Sequence, residues 1–556
     1  MVPGASYPGC FRKCIVLTKS IQCSTAIEQI LFGTSSCLDF CKDGVLTKTL
    51  KAQISKLSIS QLLEVRAGLE LLHSHVGGVL NTGTGCSGTD IWVGCWQGLV
   101  EMWNRQFGIK FELRHRVAAE NVDFKAEWIQ AHWAPDVLLA DLSEMSQPMA
   151  HDWHGQQVPV PAVAFWSCGI ECDSISGLSQ QASSNRDCIQ AATGRTGTTA
   201  QWHFDYVRVS RPVFWQIENV RNLCAKDKET GLSNLDVLVA KSNELGYFVW
   251  SKIMEANKYG VRQSRGRLYA VGFLISSQPI NQKAETFVQP TWVSKFNVVV
   301  ETMQIPPLPW SAFLLSDDGL RGPGGSVTPP AKRPRKGVAK PQTVMNFEVE
   351  HLNIYTSFDI TWPPDFTPEF AQKTRSLSRR MAEVLWFQEA VEGQASALTH
   401  VRVRDLNMSI NWGTESRDEC PCIVSTSLMW ARGTYKNADN HLTTIDRALS
   451  GEEVLALQGF RHDLQRLADE TQCWSSKQKY DLAGNAFAGP ISHVLIIAWI
   501  CCAPLDLSFA SVRLPVVVAA DVKNDLDEDE EDGEHAESEL LSSEEEEIGC
   551  NSQSSG

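Results

Sequence analysis

The chain has 556 residues, too many for one hydrophobic core, so length alone points to roughly two to four folded units. Fifteen acids against one lysine in residues 521–547 carry −14 of the formal net charge of −15, so the body is nearly neutral and the acidity belongs to a disordered tail. The remaining composition is ordinary for a soluble globular protein; no apolar run reaches the roughly 18 residues of a spanning helix, and the start, MVPGASYPGCFRKC, lacks a signal-peptide core, so an intracellular protein without a membrane is expected.

In chain order, residues 1–56 read as an irregular, cysteine-rich extension. Cys10, Cys14, Cys23, Cys37 and Cys41 include two CxxxC spacings, but no histidine and no CxxC knuckle joins them, so no metal site is expected. Over 57–75, Leu62, Val65, Leu69 and Leu72 recur at helical spacing and predict an amphipathic helix. VGGVLNTGTGCSGTDIWVG then predicts a short strand and a glycine-rich turn. The strand-like runs DVLLADL, AVAFWSCG, PVFWQIENV and RLYAVGF alternate with helical stretches up to about residue 273, the pattern of a parallel α/β sheet covered by helices. Beyond 288, proline clusters lead into RGPGGSVTPPAKRPRKGVAK, read as an exposed loop, and 345–445 carries no readable pattern. RALSGEEVLALQGF opens with Ser450 and Glu453 at capping-box spacing, and QKYDLAGNAFAGPISHVLIIAWI is a last α/β-like stretch.

Three groups of residues carry chemistry. GTGCSG, with Gly83, Gly85 and Gly88, fits GxGxxG, a turn that lets backbone approach a nucleotide. Glu120 and Asp141 each follow a strand-like segment, where one carboxylate can bind ribose hydroxyls and the other an adenine amine. Both NAD and S-adenosylmethionine present these groups. VAFWSCGIEC places Cys172 past a strand end, on the ligand side, with Cys168 nearer the strand. RPVFWQIENV delivers Glu218 and Asn219 to the same edge, a pairing suited to covalent catalysis assisted by an acid. Gln263, Arg265 and Arg267 alternate as a further strand begins, and two guanidinium groups on one face can hold an acceptor-rich planar group.

In this order the segments resemble the cytosine-C5 DNA methyltransferase family. GTGCSG resembles its first, cofactor-binding motif, and CGIECDSIS its nucleophile loop, with Gly169, Cys172 and Ser176 matching. IENV resembles its Glu-Asn-Val motif and RQSRGR its Gln-x-Arg-x-Arg motif. RALSGEEVLALQGF and AGNAF, with Asn485, resemble its two closing motifs. The resemblance implies an α/β, Rossmann-like S-adenosylmethionine-dependent methyltransferase fold with a smaller inserted target recognition domain. It implies Cys172 as nucleophile, Glu218 at the ring nitrogen of a flipped-out cytosine, and Arg265 and Arg267 holding the base and loop. Gly83, Thr84, Gly85, Glu120, Asp141, Leu142, Gly169 and Asn485 would bind S-adenosylmethionine. Gln263, Ser176 and Asn219, with the basic run Lys332, Arg333 and Arg335, are expected at duplex DNA. That run also reads as a nuclear localisation signal, so a nuclear protein is expected.

The expected domains are a catalytic first part at 57–285, a target recognition domain at 286–445 with its basic loop at 321–340, a closing catalytic part at 446–515, and the acidic tail at 516–556, which offers a chromatin or autoinhibitory contact. Glu171 stands where the family has proline and Asn81 where it has an aromatic residue. These departures keep a catalytically weak or inactive nucleic-acid-binding relative in view. An RNA cytosine-C5 methyltransferase is another alternative. A nicotinamide oxidoreductase leaves IENV and RQSRGR unexplained.

Overall fold

A computed structural model describes residues 44–177, 185–276, 282–315, 347–411, 416–460, 467 and 469–502. The CxxxC cysteines of the extension, the basic loop and the acidic tail lie outside the described residues.

The predicted alternation becomes a seven-stranded sheet. Its strands are β1 (Val79–Gly85), β2 (Glu112–Ala119), β3 (Val137–Leu139), β6 (Phe165–Cys168), β7 (Phe214–Asn219), β8 (Tyr247–Glu255) and β9 (Gly266–Leu274). A separate ribbon of β4 (Met149–His151) and β5 (Gln157–Pro159) interrupts the sequence. The spatial order is β3-β2-β1-β6-β7-β9-β8. The first five strands run parallel, and β9 lies antiparallel between β7 and β8. The central strands FWSC and FWQIEN are buried at every position, as expected for strands covered on both faces.

Strand alternation divides their aromatic residues between two cores. Phe165 and Phe214 meet Trp499 on one face, with ring centroids 5.5 and 5.2 Å away. Trp166 packs on Tyr206 of the helix Gly194–Ser210 on the other face, and its indole donates to Nδ1 of His203 at 3.1 Å. The amphipathic helix falls at Ile59–Val76, capped by Ser58 and Gln61, and buries Leu62, Val65, Leu69 and Leu72 as predicted. The capping box at Ser450 and Glu453 is also present.

Trp499 lies on the helix Gly489–Cys502, which is buried from Gly489 through Ile500. The stretch Ser476–Cys502 is long and apolar enough to cross a membrane by length and composition, but 83% of its most apolar window is buried inside the protein, so that apolarity serves the core.

Three expectations change. The extension 1–56 is not irregular throughout: Val45–Ile54 is a helix whose buried Val45, Leu46 and Leu50 join the main core. The helix Gln282–Thr302 runs into the segment assigned to the inserted domain, yet Phe296, Val299 and Val300 are buried in that same core. Within the unreadable stretch 345–445, the described residues gather around their own apolar cluster of Tyr355, Val384, Leu385, Leu406 and Trp430. Its helices Phe347–Ser357 and Arg379–Glu392 accompany an antiparallel sheet, ordered β11-β10-β12-β13, of β10 (Arg402–Asp405), β11 (Ser416–Arg417), β12 (Met429–Lys436) and β13 (Leu442–Ala448). The sequence KTRSLSRR at 373–380 is a second basic patch, and most of its cations find partners within the fold: Lys373 pairs with Glu389 and Asp446, Arg379 with Glu383, and Arg380 donates to the carbonyls of Leu406, Asn407 and Met408.

Candidate active site

The strand order reverses between β1 and β6: the chain steps outward through β2 and β3, then returns to the other side of β1. Ligands of open α/β sheets bind in the crevice outside the carboxyl ends at such a point. Here that crevice receives the turn after β1, the loop after β6 and the end of β7. Because β9 is antiparallel, its start rather than its end reaches the same edge, which brings Arg265 and Arg267 there.

One side of the crevice is a glycine cradle. Gly88 adopts φ +67°, and a Cβ on Gly169 would lie 2.1 Å from the carbonyl oxygen of Cys86, so the loop after β6 closes on the turn only because residue 169 has no side chain. The Gly169 N–H donates to the Gly85 carbonyl at 2.8 Å. Leu142 is buried against Gly85, where a Cβ would meet its Cδ1 at 2.6 Å. Thr84, also buried, donates to Asp90 Oδ2 at 2.9 Å and lies 3.1 Å from His115 Nε2. Burial pushes the Asp90 carboxyl up to about 8 and the His115 imidazole down to about 4, which favours the neutral form of each.

Glu120 follows β2 and is buried; its Oε1 accepts the N–H groups of Asn121 and Val122, both at 3.1 Å. Burial raises its pKa while nearby Lys125 opposes the rise. Asp141 follows β3, exposed, with one oxygen accepting the Ser143 N–H at 2.8 Å. Asn485 stands over Gly88, and its amide donates to Asp481 Oδ1 at 2.8 Å while Asp481 pairs with Lys125 at 3.2 Å. Among the described residues, the buried Ser87 Oγ, Thr89 Oγ1 and Asp90 Oδ1 near this turn have no hydrogen-bond partner. A glycine cradle, two carboxylates on successive strand ends and spare polar atoms fit a nucleoside carrying an amino-acid tail, the chemistry of S-adenosylmethionine.

The other side holds the thiol. β6 and β7 pair in register, Cys168 against Ile217, so the loop with Cys172 and the strand end with Glu218 emerge together. Cys168 is fully buried, whereas Cys172 is half-buried. Burial raises the Cys172 pKa; Glu218 adds to the rise and Arg267 opposes it, which places all three within electrostatic reach. Glu218 Oε1 receives both guanidinium groups, Arg267 Nε at 3.2 Å and Arg265 Nη2 at 3.4 Å. Ser176 caps the loop turn, its N–H donating to the Cys172 carbonyl at 2.8 Å.

Several predicted residues take other positions. Asn219 is buried rather than presented at the surface; its amide donates to the Ile170 carbonyl at 2.9 Å and pins the loop that carries Cys172. Gln263 is fully buried and accepts from the Gln458 amide at 3.4 Å, so it supports the interior rather than DNA. Nor does it share a strand face with the arginines, because β9 starts only at Gly266. Arg265 is 3% exposed and knits segments together, leaving Arg267 as the more accessible guanidinium. Lys332, Arg333 and Arg335 lie outside the described residues.

Sequence reasoning missed Cys422, whose sulfur accepts from Arg267 Nη2 at 3.2 Å. It also missed Lys125 and Asp481. Cys422 reaches the site because the segment around Cys420 bridges to Gln263, a contact no local pattern announces.

Comparison with known proteins adds four findings. The model of a family described as C-5 cytosine-specific DNA methylase matches residues 189–499. The DNA (cytosine-5-)-methyltransferase DMT5 of Cryptococcus neoformans is 23% identical over 455 residues, 77% of this chain, and the chain spans 17% of that relative's length. The type II methyltransferase M.NlaX of Neisseria lactamica is 33% identical over 84 residues, 15% of this chain and 26% of the relative. Among solved structures, the Entamoeba histolytica methyltransferase EhMeth aligns over 76% of this chain and 98% of its own, at 11% identity and a TM-score of 0.40.

Proposed function

The chain belongs to the C-5 cytosine-specific DNA methylase family, and on that premise we propose that it is a DNA (cytosine-5)-methyltransferase working through a covalent Cys172 adduct. The observation that supports this most directly is the convergence of Cys172, Glu218, Arg265 and Arg267 beside the glycine cradle. S-adenosylmethionine, when bound, supplies an electrophilic methyl group. Gly83, Gly85, Gly88 and Gly169 would admit it, with Glu120 at its ribose, Asp141 at its adenine and Asn485 at the mouth.

A cytosine reaches this crevice only outside the helix stack, so the substrate is read as a flipped base. The Cys172 sulfur gives up its proton to solvent and bonds to ring carbon C6. Electron density moves toward N3 and C5. Both guanidinium contacts of Glu218 fall on Oε1, which leaves Oε2 to hand a solvent-derived proton to N3 as the sulfur adds, so that no negative charge remains on the ring. Arg267 lies close enough to steady both the carboxylate and the developing thiolate. Carbon C5 is the atom methylated; loss of its proton to solvent, return of the N3 proton to Glu218 and departure of the Cys172 sulfur restore the ring.

The test is trapping on duplex DNA containing 5-fluorocytosine, with labelled S-adenosylmethionine. The expected result is a denaturation-resistant complex mapped to Cys172, absent in Cys172→Ser and retained in Cys168→Ser. An adduct that survives Cys172→Ser, or label transferred to RNA but never to DNA, overturns the proposal.

A further inference from the structure

An acid flanks Cys172 on each side, Glu171 and Asp173. Carboxylates so close to a thiol disfavour the thiolate, and Asp173 is among the groups that raise the Cys172 pKa. Both acids face one cation. Arg195 Nε lies 3.1 Å from Glu171 Oε2, and Arg195 Nη1 lies 2.9 Å from Asp173 Oδ2, so a single guanidinium bridges the residues on either side of Cys172.

The helix turn that carries Arg195 is also the bed of the loop. The Glu171 N–H donates to Thr199 Oγ1 at 3.1 Å, and the Thr196 N–H to Ser174 Oγ at 3.4 Å. Gly194, at φ +62°, comes so close that a Cβ there would lie 2.7 Å from Ser174 Oγ. Residues 194–199 therefore grip 171–174 through backbone and side chain alike. The other charged groups facing Cys172 are Glu218 from β7 and Arg265 and Arg267 around the start of β9.

We propose that Arg195 is a positioning residue for the reaction: by pairing with Glu171 and Asp173 it fixes the two residues that frame Cys172 and cancels the charge they place beside its sulfur. This rests on Cys172 being the nucleophile of the proposed function. The guanidinium is 63% exposed, and ion pairs of that kind contribute little to folding. Its effect therefore falls on the reactivity of Cys172 and not on the stability of the fold.

The test follows alkylation of Cys172 by iodoacetamide in the full chain, mapped by mass spectrometry, between about pH 7 and pH 10. Arg195→Gln is expected to slow alkylation near pH 8 by roughly threefold to tenfold and move the midpoint upward, with the melting temperature unchanged. Arg195→Lys keeps the charge and is expected to retain most of the rate. In a Glu171→Gln/Asp173→Asn background, where there is no charge to cancel, Arg195→Gln is expected to change little. A wild-type pH profile in Arg195→Gln, or an undiminished effect in the neutralised background, overturns the proposal. The readout needs neither DNA nor cofactor, so failed methyl transfer would count against the proposed function alone.

Discussion

Arg265 meets Glu218 at 3.4 Å across 47 residues of chain, and the same guanidinium donates to the carbonyls of Ile423, Gly484 and Ala486 at 3.0 to 3.3 Å. One buried cation thus ties the end of β7, the loop between β11 and β12 and the closing segment at Gly484 and Ala486 into one wall. Removing Arg265 deprives the Ile423, Gly484 and Ala486 carbonyls of this donor and leaves Glu218 with Arg267 alone. Arg265→Leu is expected to cost about 3–5 kcal/mol in urea unfolding. Arg265→Lys keeps the charge but loses the planar fork, and is expected to fall between the two. Arg267→Leu, at the more open position, is expected to lose adduct formation with a smaller loss of stability.

The pH dependence follows from Cys172. Burial, then Glu218, raises its pKa, so at neutral pH the thiol form dominates. The rate of adduct formation on 5-fluorocytosine DNA is expected to climb through pH 8 and beyond the ordinary thiol value of about 8.5, without an earlier plateau. Rates measured across that range check this; a plateau below pH 7 would refute it.

The cradle makes a steric prediction. A Cβ at residue 169 would sit 2.1 Å from a backbone oxygen, which cannot rotate away. Gly169→Ala is expected to weaken S-adenosylmethionine binding on the order of tenfold to a hundredfold, the equivalent of about 1–3 kcal/mol of overpacking. Asp141→Ala removes one exposed hydrogen-bonding carboxylate and is expected to weaken it about threefold to tenfold, leaving the fold intact. Calorimetric titration separates the two.

Asp90 supplies a stability signature. Its folded pKa, about 8, exceeds the ordinary carboxyl value of 3.8, so the folded state holds the proton more tightly than the unfolded state. Its contribution is most favourable below pH 3.8 and is lost as pH rises through about 8. Asp90→Asn fixes the neutral form and keeps an oxygen for Thr84. The melting temperature of the variant relative to wild type is expected to improve steadily from pH 5 to pH 8. A difference independent of pH would show that Asp90 is ionised in the folded protein.

Much of the site was legible because it is written locally. Gly83, Gly85, Glu120, Asp141, Cys172 and Glu218 each lie at or just past the carboxyl end of a strand, and apolar strand runs followed by polar residues mark those ends. The arginines were harder. Their alternation suggested one strand face, but β9 starts between them, and Arg265 turned inward to carbonyls some 160 to 220 residues distant in sequence. Gln263 and Asn219 looked like polar residues waiting for a ligand; the fold buries both, with the Asn219 amide bonded to the Ile170 carbonyl and the Gln263 oxygen to the Gln458 amide, and buried amides carry the same letters. The sequence of 373–380 reads as a cationic surface, but Glu383, Glu389 and Asp446, brought in by the helix Arg379–Glu392 and β13, consume much of its charge.

By itself the sequence determined the helix at Ile59–Val76, the parallel strands, the glycine turn and the order of the reactive residues, because hydrophobic period, capping and the φ freedom of glycine act over a few neighbouring positions. Tertiary structure alone decided that β9 inserts antiparallel beside β7, that Cys422 reaches Arg267, and that Arg195 spans the acids around Cys172. Those contacts join residues separated by tens to hundreds of positions, and they are selected by packing and charge pairing in the folded core, which leave no periodic trace along the chain.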